Sequence, residues 1–103
     1  MSNTYTLLTK PVSSRRPVHP GYFLNTRFLL PLKITQKQLA AEIGVSRRRL
    51  NEIIQGRRGI TPDTALRLGV YFGNDAMFWM SLQAGWDTHE IWREQVSLKN
   101  NIQ

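Results

Sequence analysis

The chain contains no cysteine. That removes disulfides, thiolate metal sites and cysteine nucleophiles in one step. It also lacks long apolar runs. None approaches the roughly 18 residues that a bilayer-spanning helix needs, and residues 1–17 carry no apolar stretch longer than Leu7–Leu8. The expectation is therefore a cytoplasmic protein with no membrane partner. Acids are scarce as well: 7 Asp+Glu stand against 14 Lys+Arg, a net charge of +7 over 103 residues. They are dispersed, and the two histidines, His19 and His89, lie far apart, with no spacing of the H-E-x-x-H kind. Asp87 and Glu90 near His89 read as a solvated helix face. No catalytic residue, metal site or cofactor is expected, and the chain does not read as an enzyme. Its basic excess implies an anionic partner.

What the chain does have is helical periodicity with frequent stop signals. Apolar content of 41% is enough for one packed domain. Residues 1–17 show no sustained period and read as a flexible N-terminal arm; residues 96–103 read as a flexible tail. Between them, residues 18–95 form the expected domain. A first helix starts at Pro20–Gly21 and should stop at Pro31, because a residue before proline avoids helical geometry. A second is announced by Thr35 with Gln38 three positions later, a capping box, and ends at Gly44. Ser46 caps a third, Arg47–Gln55, stopped by Gly56. Thr61-Pro62-Asp63 opens a fourth that ends at Phe72–Gly73. Asn74 or Asp75 caps a fifth, reaching about Glu94. No alternating strand pattern occurs, so the class is all-α.

The joint between the second and third helices is the most informative feature. Leu39 and Ala40 belong to a buried face, and the small Ala40 permits a close helix crossing. Gly44 makes a sharp turn, Val45 plugs the corner, and Leu50 and Ile53 anchor the third helix. This spacing is that of a helix-turn-helix. At about 100° per residue, the third helix turns Leu50, Ile53 and Ile54 to one side and Arg48, Asn51 and Glu52 to the other. Arg47, Arg48, Asn51 and Glu52 are the candidate base readers. Arginine can take guanine bidentately and asparagine adenine. Glu52 could accept from a cytosine amino group or could orient a neighbouring arginine. Gln36, Lys37, Ser46, Arg49, Arg57 and Arg58 are the candidate phosphate contacts, which confer affinity and salt dependence rather than specificity. Seven basic residues against Glu42 and Glu52 give the segment Lys33–Arg58 a charge of +5 out of the total +7.

The fifth helix carries more apolar surface than one stripe. Phe78, Trp79, Leu82 and Trp86 lie at helical spacings, with Met77, Met80 and Ile91 beside them. A dimer interface on these four residues is the expectation. The alternatives are a helix central to the core or a pocket for an aromatic ligand. A two-fold dimer would set two recognition helices about 34 Å apart, one turn of duplex, and so read a palindromic double-stranded operator.

At these residues the chain resembles the Cro/C1-type (XRE, lambda-repressor-like) helix-turn-helix proteins, and within them the HigA-type, VapI-related antitoxins. The carrying segments are His19-Pro20-Gly21, Leu30-Pro31-Leu32, Ile34-Thr35-Gln36 and Arg48-Arg49-Leu50-Asn51-Glu52-Ile53-Ile54. Gly59-Ile60-Thr61, Asp63-Thr64-Ala65-Leu66-Arg67-Leu68, Phe78-Trp79 and Leu82-Gln83 continue the likeness, which covers about residues 18–92. Tyr22 and Arg47 depart from frequent family residues. The resemblance implies a five-helix fold and a homodimeric repressor of its own operon. It further implies a cognate toxin partner, a RelE-like mRNA interferase that the protein neutralises. A stand-alone phage-type repressor, or an RNA-binding or scaffold protein using the same basic face, are the competing readings.

Overall fold

The computed structural model describes residues 17–102, with side chains to residue 97. The expected N-terminal arm lies outside the described residues except for Pro17. Five helices follow, and no strand occurs among the described residues. The first, α1, is one continuous rod of three stretches: an α segment Pro20–Leu24, a π segment Asn25–Leu29 and an α segment Leu30–Leu32. Then come α2 (Gln36–Ile43), α3 (Arg47–Ile54), α4 (Pro62–Phe72) and α5 (Ala76–Ile102).

Local chemistry sets most of the boundaries. Thr35 Oγ1 accepts from the Gln38 N–H at 3.0 Å, and Gln38 Oε1 accepts from the Thr35 N–H at 2.8 Å, closing the capping box. Gly44 takes φ 77°, and the N–H groups of Gly44 and Val45 both donate to the Ala40 carbonyl. The left-handed turn that a side chain would strain thus becomes the corner between α2 and α3. Ser46 Oγ accepts from the Arg49 N–H at 3.0 Å. At the head of α5 the two candidate caps divide the work. Asp75 Oδ1 accepts from the Met77 N–H at 2.9 Å, while Asn74 Oδ1 accepts from Trp79 Nε1 at 2.7 Å.

Two boundaries differ from the sequence expectation. Pro31 does not stop α1. Leu30 keeps helical geometry (φ −65°, ψ −50°), and the helix ends at Lys33, which takes φ 57°. Proline has no N–H to place, and the wide π segment immediately before it loosens the turn that the ring would otherwise crowd. The second difference is α5, which runs to Ile102 rather than to about Glu94, so the helix continues through the segment 96–102 that the sequence sets apart as a tail. Beyond Gly85 it meets no glycine or proline, and Glu90 and Arg93 form an i,i+3 pair at 3.3 Å. Its 27 residues make a rod of about 40 Å, and Ile91–Gln95 are exposed.

Leu24, Leu29, Leu39, Ala40, Ile43, Leu50, Ile53, Ile60, Ala65, Leu68 and Trp79 form a single core. The expected helix-turn-helix anchors Leu39, Ala40, Leu50 and Ile53 are all within it, with Val45 half-buried against it. Trp79 is fully buried. Phe23, Phe28, Phe72 and Phe78 surround it with ring centroids 5.2–6.3 Å away. Trp79 is therefore a core residue and not a dimer contact. The helix that carries it packs on α4 and α1, a crossing that helical spacing alone does not specify. Leu82 and Trp86 are half-buried, and Phe78 is 37% exposed.

Candidate nucleic-acid interface

The exposed side of α3 presents Arg47 and Arg48, with Gln55 exposed just past its end and Asn51 half-buried. The Arg48 side chain is 87% exposed. Asn51 is fixed from across the corner: its Nδ2 donates to Gln36 Oε1 at 3.0 Å. Gln36 opens α2, so the pair bridges the two helices of the motif. One amide hydrogen and the carbonyl oxygen of Asn51 stay available, which is the donor–acceptor pair an adenine edge requires.

Glu52 stands between two arginines. Its carboxylate lies 2.8 Å from Arg58 Nη2 and 3.4 Å from Arg48 Nε. The Arg58 hydrogen bond, more than the Arg48 one, holds the carboxyl below the usual carboxylate range. With its oxygens occupied on both sides, Glu52 joins the recognition helix to the exit loop. The backbone does the same, since the Arg57 and Arg58 N–H groups both donate to the Glu52 carbonyl.

Arg49, an expected phosphate contact, turns toward α4. Its Nη2 donates to Thr61 Oγ1 at 3.1 Å and its Nη1 lies 3.9 Å from Asp63 Oδ2. One step of 100° from Arg48 carries it round to α4, where it braces α3. Lys37, Ser46 and Arg57 are exposed, and Arg58 is half-exposed beside Glu52.

Three supporting residues have no role in the sequence reading. Arg67 pairs with Asp63 and donates from Nη1 to the Ile43 carbonyl at 2.7 Å, closing the C-terminal end of α2. Gln83, buried on α5, accepts from the Ile60 N–H at 2.7 Å. His19 is the cap of α1: its Nδ1 accepts from the Gly21 N–H at 3.0 Å, and its ring meets Trp86 edge-on at 5.1 Å. The available signals were a histidine in the capping position before Pro-Gly, and a single amide on an otherwise apolar helix face. Among the described residues no group of three His, Asp or Glu could hold a metal ion, and no helix is long and apolar enough to cross a membrane.

The His19 cap has a consequence for pH. Burial, more than the opposing Asp87 charge, pulls the imidazole below its ordinary 6.5. Only the neutral ring can accept at Nδ1, and a cation at a helix N-terminus is unfavourable. The unfolded chain therefore binds the proton first. This contribution to stability is complete above about pH 6.5 and fades as pH falls through the lower folded value. Thermal unfolding followed from about pH 7.5 to 5 should show the loss. His19→Asn, which keeps a capping oxygen without titrating, should flatten that part of the curve.

Residues 27–76 match the helix-turn-helix family. The chain is 46% identical over 70 residues to virulence-associated protein I of Dichelobacter nodosus, a match covering 68% of this chain and 65% of that protein. It is 36% identical over 86 residues to antitoxin HigA-1 of Vibrio cholerae, covering 81% of each. The chain belongs to the HigA-type helix-turn-helix family. This is a family of DNA-binding regulators, not of enzymes. Among solved structures, a Pseudomonas aeruginosa protein in complex with its 18-base-pair operator DNA superimposes with a TM-score of 0.77 at 35% identity, covering 85% of this chain and 93% of that one.

Proposed function

We propose that the chain is the antitoxin of a toxin–antitoxin pair that binds its own operator as a homodimer and represses the operon. The observation that carries the DNA reading is the exposed face of α3. Arg47 and Arg48 stand free of the core on the recognition helix, and Asn51 is pre-set by Gln36. Arg47, Arg48 and Asn51 read base edges in the major groove. Lys37, the α3 N-terminus at Ser46, Arg57 and Arg58 contact phosphates, and Glu52 keeps Arg48 and Arg58 in place. That the P. aeruginosa relative was solved with its operator DNA supports the DNA reading. The two kinds of contact separate experimentally. Arg48→Ala should cost about 1–3 kcal/mol at one base pair and relax specificity there. Lys37→Ala should weaken all sequences alike and shallow the salt slope by about one per protomer, about two for the dimer. Fluorescence anisotropy against point-substituted operators over a salt series reads both, and identical behaviour of the two variants would refute the division.

A palindromic operator follows from two-fold symmetry. With Trp79 enclosed, the large apolar residues that α5 exposes among those whose side chains are described are Met77, Phe78, Ile91 and Trp92, and these are the proposed contacts of the second copy. The toxin reading rests on the likeness to antitoxin HigA-1, and the proposed toxin is a RelE-like mRNA interferase. Co-expression tests it. This chain should rescue cells from the toxicity of the adjacent reading frame, and failure to rescue, with operator binding intact, would leave a stand-alone repressor.

A further inference from the structure

Gln83 is buried, yet both ends of its amide are engaged. Its Oε1 accepts from the Ile60 N–H at 2.7 Å, and its Nε2 donates to Asp87 Oδ1 at 2.9 Å. The loop backbone is pressed onto this amide. A Cβ added at Gly59 would lie 2.8–3.0 Å from three atoms of the Gln83 side chain. Gln83 therefore holds the far end of the loop that leaves the recognition helix, while Glu52 holds the near end through the backbone of Arg57 and Arg58. The next residue along, Thr61, caps α4 and accepts from Arg49. Between the two anchors stand Arg57 and Arg58.

We propose that Gln83 is the positioning residue for the phosphate contacts of the exit loop: by fixing Gly59–Ile60 from α5, it sets where Arg57 and Arg58 meet the DNA backbone. This rests on the DNA reading above. Gln83 does not itself face DNA. It works by leaving the Ile60 N–H a single buried acceptor, so the loop has one seat rather than several. Asp87 in turn orients the amide. A loop freed from this seat keeps its charges but spreads them over many positions, so each arginine spends less time at its phosphate.

The test is Gln83→Met, which keeps length and removes the acceptor. The probe is a fluorescent duplex carrying the sequence upstream of this chain's own gene, titrated over a salt series. The expected result is about tenfold weaker binding at fixed salt and a salt slope shallower by about one to two, since each phosphate left without its arginine lowers the slope by about 0.9. Discrimination at the Arg48-dependent base pair should stay unchanged. A merely structural role would lower the melting temperature and leave the slope of the folded protein as it was. The double variant Gln83→Glu, Asp87→Asn reverses the polarity of the brace. One carboxylate oxygen accepts from the Ile60 N–H and the other from the amide introduced at position 87, so the wild-type slope should return. If Gln83→Met fails to fold, the double variant decides. A shallow slope in the folded double variant overturns the proposal, as does an unchanged slope in folded Gln83→Met. Wild-type protein that shows no salt-dependent binding to the duplex overturns the DNA reading, and the proposal with it.

Discussion

Trp79→Ala should leave little folded protein at about 37 °C. The indole is 0% exposed, touches four phenylalanines drawn from α1, α4 and α5, and donates to Asn74 at 2.7 Å. Truncating a buried aromatic costs about 3–5 kcal/mol, because the neighbours close only part of the cavity. The whole stability of a domain this size is about 5–15 kcal/mol, so one substitution removes a large share of it. Trp79→Phe should cost less, since the ring still fills most of the space while Asn74 loses its donor. Trp92→Ala is the contrast. That indole is 41% exposed, so the protomer should melt within about 0.5 kcal/mol of wild type while self-association weakens. Circular dichroism melts and sedimentation read the two effects separately. A folded, monomeric Trp79→Ala would restore the interface role that the enclosed position argues against.

Features controlled by short sequence separations are legible before the fold is known. The capping box at Thr35, the turn at Gly44, the Ser46 cap and the sidedness of α3 each involve residues within five positions of one another. They stand in the structure where spacing puts them. The boundaries at Pro31 and Glu94 also look local, but both turn on how a helix tolerates an imperfect signal. A π segment carries α1 through its proline, and packing of the first half of α5 lets the second half continue. The links hidden from the sequence are the long-range ones. Gln36 and Asn51 are fifteen residues apart, Arg49 and Thr61 twelve, and Ile60 and Gln83 twenty-three. Each pairs side chains or backbone whose proximity depends on how helices cross, which periodicity does not encode. For the same reason the aromatic content of α5 shows surplus apolar surface without showing that Trp79 takes the centre.

Gly21→Ala should destabilise the protein by about 3 kcal/mol or more, although alanine ordinarily favours a helix over glycine by about 1 kcal/mol. Space decides the sign. Gly21 lies on the first turn of α1, where that turn crosses the end of α3. A Cβ there would run into the Ile53 carbonyl and come within 2.8 Å of Ile54 Cα. Its φ is not positive, so glycine is required for approach and not for conformation. The obstacle is backbone, which has no rotamer to change, so the two helices must separate. Leu24, Leu50 and Ile53, each 0% exposed, then give up their shared packing together. The effect should also reach DNA. The displaced turn of α3 follows Asn51 and Glu52 and leads directly into Arg57 and Arg58, so operator affinity should fall even at temperatures where the variant remains folded. Gly85→Ala is the internal control: nothing lies within 4 Å of its Cβ position, it sits inside α5, and the substitution should raise the melting point. A Gly21→Ala protein that melted with Gly85→Ala, above wild type, would mean that α1 and α3 do not approach this closely in solution.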